Sequence, residues 1–206
     1  MPDAAYFGIA AGFLNLVAFV PYILSIFGRR FRWGTSIIER TTRTAPNRES
    51  WLNWAFVGAV VLPAYSLSGA QETAWVAAAL VVGPCVVAVL SLKYGEDGWS
   101  AFDQACLAGA FMSMLMWALT GSSVVGLLFA LAADACGVAA TMRHAYRQPR
   151  KENGTAWVLF LLGDAINLLA VPDWSWASAP VWIYALYMIG HTGPIVLIIW
   201  LRRKGV

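Results

Sequence analysis

The chain has 206 residues, of which 60% are hydrophobic and 12% are charged, and its mean hydropathy is +0.64. A soluble domain carries about 25% charged residues, so too few charges remain here to cover a surface that faces water. The composition therefore indicates a polytopic membrane protein. The net charge of +3 does not indicate a nucleic-acid partner, because the basic residues fall at the edges of apolar segments rather than on one face.

Seven segments of the chain are candidates to cross a membrane, which takes about 20 mostly apolar residues each. Turn-forming residues separate most of them. The first segment has no basic region before it and is preceded by Asp3, so a cleaved signal peptide is not expected. The sequence thus predicts an all-α protein with seven transmembrane helices. The predicted spans are 5–27, 51–69, 73–92, 101–119, 122–142, 155–171 and 178–201.

All fourteen lysines and arginines fall on one side of this predicted bundle. They lie between spans 1 and 2, 3 and 4, and 5 and 6, and in the C-terminal tail. Since basic loops stay in the cytoplasm, we expect a cell (inner) membrane protein with its N-terminus outside and its C-terminus cytoplasmic. The arginine-rich 29–50 segment is expected to set this topology or to contact anionic lipids. Its arginines are Arg29, Arg30, Arg32, Arg40, Arg43 and Arg48.

The chain carries an internal repeat. Gly83-Pro84 in span 3 and Gly193-Pro194 in span 7 each precede an apolar run that ends in basic residues and a further glycine. Proline inside a membrane helix frees a backbone carbonyl, and glycine allows close approach. These four residues, with Pro21 of span 1, are the predicted gating or hinge residues. Packing kinks without a gating role are the alternative interpretation.

Extended backwards from the two Gly-Pro pairs, the repeat aligns spans 1, 2 and 3 with spans 5, 6 and 7. Span 4 has no counterpart and becomes a linker, which makes the two halves parallel rather than inverted. The predicted architecture is two parallel three-helix bundles joined by one helix (3+1+3). Its parts are a first repeat at 1–95, a linker helix at 96–121 and a second repeat at 122–206.

This arrangement resembles the superfamily of SWEET sugar transporters, PQ-loop transporters and PnuC-type vitamin transporters. The resemblance rests on the 3+1+3 pattern, the outside N-terminus, Val20-Pro21-Tyr22, and Trp51-x-x-Trp54 after a basic loop. It is similar in particular to a group of uncharacterised bacterial SWEET-like proteins. The chain has no Pro-Gln dipeptide, and Ala140 stands where span 1 has Pro21. The resemblance implies transport, with a solute bound between the bundles by Trp and Asn side chains.

Polar side chains within the spans mark the expected site, because ionisable groups at mid-membrane are costly and are functional by default. Asp134 of span 5 aligns with Asn15 of span 1, as a site on the axis between the halves would require. Asp164 and Asn167 are three residues apart and share a helix face. The predicted substrate-binding residues are Asn15, Trp54, Asp134, Asp164, Asn167, Tyr187 and His191.

Each of these residues also has a structural interpretation. Asn15 and Asn167 would then be hydrogen-bond partners between helices. Asp134 and Asp164 would pair with His191 or with backbone amides for stability alone. The two interpretations make different predictions for solute binding, and the sequence leaves both open.

Other classes of function lack the residues they need. His144, expected in a loop, and His191 are the only histidines, and no serine elbow, zinc motif or phosphate loop occurs. We therefore expect neither an enzyme nor a metal or cofactor. A retinal protein is excluded because span 7 has no lysine before Lys204. Two functions remain: a carrier of a small polar solute by alternating access, as facilitator or proton-coupled, and a non-transporting accessory or sensor protein. A homo-oligomer stays open.

Overall fold

The computed structural model describes residues 2–28, 43–96 and 100–204, the side chains of residues 2, 3 and 103 excepted. Within these ranges all regular structure is helical, which confirms the predicted all-α class. Short 3-10 helices lie at Pro149–Lys151 and Trp176–Ser178. The α-helices are α1 (Pro2–Ile26), α2 (Arg48–Leu67), α3 (Ala74–Tyr94), α4 (Ala101–Thr120), α5 (Ser123–Arg147), α6 (Gly154–Leu169) and α7 (Ala179–Lys204).

Five of these helices have the length and apolar composition needed to cross a membrane: α1, α2, α3, α5, and α7 together with the turn before it. The apolar helices at Gln104–Thr120 and Gly154–Leu169 are shorter. Large apolar side chains point outward from the bundle, which suits lipid rather than water. The most exposed of them on α1 to α4 are Tyr6, Phe13, Leu67, Val82, Val89 and Leu119. The chain is a helical membrane protein, and seven crossings remain a prediction.

The helices pack in a definite set of pairs. Helix α3 packs against α1 and α2, while α7 packs against α5 and α6. Further contacts join α1 to α6 and α2 to α5, and α4 lies against α5 and α2. One core cluster surrounds Trp51, Trp54 and Trp157, and a second surrounds Tyr65 and Tyr184. These five aromatic side chains of α2, α6 and α7 therefore lie in the middle of the bundle.

The basic residues that the structure describes gather at one end of the bundle, which we call the basic end. Here α1, α3, α5 and α7 end, and α2 and α6 begin. The Ala45 N–H donates to the Lys151 carbonyl at 3.1 Å, and the Lys151 ammonium lies 2.6 Å from the Glu96 carboxylate. These contacts join the connections that precede α2 and α6 to the end of α3. The arginines of the predicted topology signal that lie outside the described residues are Arg29, Arg30, Arg32 and Arg40.

One sequence-based placement at the basic end is wrong. Helix α5 continues five residues past its predicted span, so His144 lies inside the helix and is buried instead of standing in a loop. The Glu152 carboxylate lies 3.8 Å from the His144 imidazole at this end of the helix.

The predicted hinge prolines all lie within continuous helices: Pro21 in α1, Pro84 in α3 and Pro194 in α7. Gly83 and Pro84 are buried, whereas Gly193 and Pro194 are half-buried. Gly83 allows α3 to approach the Phe19 ring so closely that an added Cβ would overlap it. The two Gly-Pro pairs thus differ in their surroundings although their sequences match.

We expect Gly83→Ala to destabilise the protein by about 1–3 kcal/mol, since overpacking a filled core site costs that much. The Phe19 ring cannot withdraw easily, because it packs edge-on against both Trp51 and Phe160. The measurement is thermal unfolding of the purified protein in detergent. Gly190→Ala is the control, since nothing lies within 4 Å of a Cβ added there. Equal melting temperatures for the two variants would contradict the close packing of α1 on α3.

Candidate functional site

A cavity lies in the middle of the bundle, between α1, α2, α3, α5, α6 and α7. The cavity volume that the centres of water molecules can reach is about 50 Å³, which is room for a few waters. Its wall is mostly aromatic and aliphatic, with four polar side chains besides the tryptophans and a tyrosine. The lining residues are Asn15, Phe19, Trp51, Trp54, Val57, Gly58, Val61, Ala77, Leu80, Pro84, Leu131, Asp134, Trp157, Phe160, Tyr184, Met188, His191 and Thr192.

Asp134 forms the first of two polar groups at the cavity. The Tyr187 hydroxyl donates to Asp134 Oδ2 at 2.7 Å, and His191 Nδ1 lies 3.0 Å from the same oxygen. The imidazole is near enough for an ion pair, although it is not aligned as a hydrogen bond. One carboxylate of α5 is therefore held by two side chains one helical turn apart on α7. Their i, i+4 spacing places both on the same face of that helix.

Asp164 forms the second group, on the opposite helices α6 and α1. It is fully buried, and the Thr192 hydroxyl of α7 donates to its Oδ2 at 3.0 Å. The Asn15 amide lies 3.4 Å from its Oδ1 and also donates to the Ala11 carbonyl at 3.1 Å. A glycine at 163 makes this approach of α6 to α1 possible, because a Cβ there would overlap the Asn15 amide. Asp164 thus lies behind Asn15 and Thr192, which line the cavity.

Aromatic rings enclose the two polar groups. The His191 ring is tilted over Trp54 with centroids 5.0 Å apart, and Trp54 meets Trp157 edge-on at 6.0 Å. Phe19 and Phe160 meet edge-on at 4.8 Å. Rings in these orientations present both faces and edges to the cavity, and faces attract cations and flat polar groups.

Three polar atoms of the cavity wall have no hydrogen-bond partner within the described part of the chain. They are Asn15 Oδ1, Trp54 Nε1, and His191 Nδ1, which faces Asp134 without forming a hydrogen bond. An unpaired buried polar group costs about 1–3 kcal/mol, so such atoms call for a partner from outside the protein. Water or a polar solute in the cavity would supply it.

Four of the seven predicted substrate-binding residues line the cavity: Asn15, Trp54, Asp134 and His191. Tyr187 and Asp164 lie behind the wall, each bonded to a residue that lines it. Asn167 is fully buried on α6, outside the cavity wall, and its side-chain amide has no partner among the described residues.

Sequence reasoning missed part of this wall. Phe19, Phe160 and Thr192 were not predicted, because hydropathy gives apolar residues in a membrane no preferred direction. One signal was available for the tryptophans. Each follows a capping asparagine by four residues: Asn47 accepts from the Ser50 N–H, and Asn153 accepts from the Ala156 N–H. The caps fix where α2 and α6 begin and so place Trp51 and Trp157 at the same distance from the starts of their helices.

The charge of the cavity wall is acidic. None of its lining residues is lysine or arginine, whereas Asp134 lines it and Asp164 lies directly behind it. His191 is the one basic side chain in that wall.

No protein-family model, curated protein or solved structure matches this chain.

Proposed function

We propose that the protein is a membrane carrier that moves a small polar solute, without converting it, by alternating access between two helix bundles. The observation that carries this proposal is the central cavity, where one partnered acid lines a wall of aromatic rings and unpaired polar atoms and a second acid lies directly behind that wall. Polar groups of this kind are costly inside a membrane and mark solute or ion pathways. The carrier is a facilitator or is coupled to protons, for which Asp134 and Asp164 are the candidate groups.

The helix contacts support the 3+1+3 arrangement with its repeats at 1–95 and 122–206. If α1 is exchanged with α5, α2 with α6 and α3 with α7, each packed pair of these six helices described above becomes another of the packed pairs. The pair α1 and α6, for example, becomes α5 and α2. Helix α4 packs on the outside, against α5 and α2, as a linker would. A SWEET-like fold has this symmetry, with the solute between the bundles.

The proposed location is the cell (inner) membrane, with the basic end in the cytoplasm. Every described lysine and arginine lies in a connection at that end, in the first turn of α2, or within the last two turns of the helices that end there. Basic loops remain on the cytoplasmic side during insertion. The N-terminus would then lie outside and the C-terminus inside.

We infer that the solute is neutral or cationic rather than anionic. The Asp134–His191 pair carries no net charge when both groups are ionised, and ionisation of Asp164 would add one excess negative charge. A cation or a proton would offset it, and the faces of Trp54 and Trp157 would favour a cation further. An anion would meet two carboxylates with a single imidazole to balance them.

A thermal-shift screen of the purified protein tests the proposal. The panel comprises sugars, amino acids, nucleosides and vitamins, and a solute that binds the folded state raises the melting temperature. The same solute should not raise the melting temperature of Asp164→Asn. Asp173→Asn is the matched control, since Asp173 is exposed in the connection between α6 and α7, where Ser175 and Ser178 donate to its carboxylate. The absence of any shift across the panel would favour the accessory or sensor function instead.

A further inference from the structure

A second buried polar cluster lies between the cavity and the basic end, around Glu152. This residue follows the 3-10 turn between α5 and α6 and is only 1% exposed. Its Oε2 accepts from the Trp157 indole N–H at 2.9 Å and from the Tyr22 hydroxyl at 3.3 Å. Burial raises the pKa of this carboxyl, while His144 nearby opposes the rise. The Arg203 guanidinium of α7 donates to the backbone carbonyl of Glu152.

The cluster connects two tryptophans that belong to opposite halves of the chain. The Trp51 indole N–H donates to the Tyr22 hydroxyl at 3.2 Å, and Tyr22 in turn donates to Glu152. The Tyr22 ring also packs on Trp51 with centroids 4.8 Å apart. A continuous chain of hydrogen bonds therefore runs from Trp51 through Tyr22 and Glu152 to Trp157.

These two tryptophans line the part of the cavity that lies nearest to the basic end. Among the residues that line the cavity from α2 and α6, Trp51 and Trp157 are the nearest to the starts of their helices. On α1 the last lining residue is Phe19, and Tyr22 follows one turn further toward the basic end. A solute leaving between α2 and α6 in this direction would pass the two indoles. Their separation would require one of the three hydrogen bonds of this chain to break.

We propose that Glu152 is the latch of the gate at the basic end: its carboxylate holds Trp51 and Trp157 together through Tyr22 and so keeps the cavity closed on that side. This inference rests on the proposed function, because a gate needs a carrier. Glu152 is a positioning residue, since it lies outside the cavity and acts through the two indoles. The latch is directional, because it lies on one side of the cavity.

Accessibility of a cysteine in the cavity wall tests this proposal without any knowledge of the solute. Val57→Cys puts a thiol on a buried lining position of α2. Sealed vesicles of each orientation are treated with a membrane-impermeant, cationic methanethiosulfonate, and the rate of labelling is measured from each side. The native cysteines to be replaced by alanine beforehand are Cys85, Cys106 and Cys136.

With Glu152→Ala, labelling from the basic end should accelerate about tenfold, as expected when a hydrogen bond to a charged group no longer favours the closed gate. Trp157→Phe keeps the ring and removes the donor, so it should accelerate labelling in the same direction. Labelling from the opposite side should not accelerate in either variant. A general loosening of the fold would instead accelerate labelling from both sides.

Two matched variants serve as controls. Glu96→Ala removes a carboxylate at the same end that pairs with Lys151 rather than with a tryptophan. Trp182→Phe removes an indole donor that bonds to the Ser175 carbonyl. Both should label at the parental rate. Unchanged rates in Glu152→Ala and Trp157→Phe, or acceleration from both sides, would overturn the latch. If either variant does not fold, Tyr22→Phe breaks the same chain, and the same outcomes decide.

Discussion

Uptake of the solute identified by the binding screen should fall at least about tenfold in Asp134→Asn and in Asp164→Asn, because interactions with a charged group contribute about 1.5–3 kcal/mol. Asp134 loses its ion pair with His191, and Asp164 loses the charge that Thr192 and Asn15 stabilise. The measurement is initial uptake into proteoliposomes that contain equal amounts of each protein. Both residues are expected to matter because Asp134 lines the cavity and Asp164 bonds to Asn15 and Thr192, which line it.

The matched control for this prediction is Asp173→Asn, which makes the same chemical change in an exposed connection. It should retain parental uptake. Normal uptake in both Asp134→Asn and Asp164→Asn would contradict the assignment of these acids to a solute-binding site. The acids would then have only a structural role. If only one of the two variants loses uptake, the residue replaced in the other variant is no part of the site.

Asp134 and His191 should behave as one unit in a double-mutant cycle. We expect Asp134→Asn and His191→Gln each to lower solute affinity, and the double variant to be no worse than the weaker-binding single variant. Residues in direct contact couple by about 0.5–3 kcal/mol, and here Nδ1 and Oδ2 are 3.0 Å apart. Isothermal titration of the four proteins with the solute gives the coupling free energy.

Asn53→Ala supplies the reference for additivity in that cycle. The Asn53 amide donates to the Ala133 carbonyl at 2.8 Å, beside Asp134 in the chain, and not to a side chain of the cavity wall. Its effect should add to that of His191→Gln. Simple additivity of Asp134→Asn and His191→Gln would mean that the two groups act separately and that the ion pair has no part in binding.

Much of the fold follows from the sequence because the membrane imposes a simple rule. Helix length must match the apolar thickness, and the distribution of charge then separates the two ends. Departures occur where tertiary contacts override hydropathy. The apolar run of span 5 ends at residue 142, but the helix continues to Arg147, and His144 is buried there 3.8 Å from the Glu152 carboxylate.

The acidic residues of the candidate site were predictable from the sequence, whereas several residues of the cavity wall were not. Asp134, Asp164 and His191 are conspicuous in apolar spans, and the structure brings them to one cavity or directly behind it. Asn167 was placed with Asp164 by helix spacing, yet it lies one turn further from the basic end and outside the lining. Glu152 was missed because an acid in a basic connection is usually solvated, and sequence does not reveal that Tyr22 and Trp157 cover it.

The central claim is that the cavity opens alternately to the two sides of the membrane. Labelling of Val57→Cys from each side, with Glu152 intact, tests it most directly. We predict that the cysteine is labelled from both sides, and that a bound solute slows labelling from both. A cysteine that is labelled from one side only, or from neither, would contradict alternating access and leave the protein as a non-transporting membrane component.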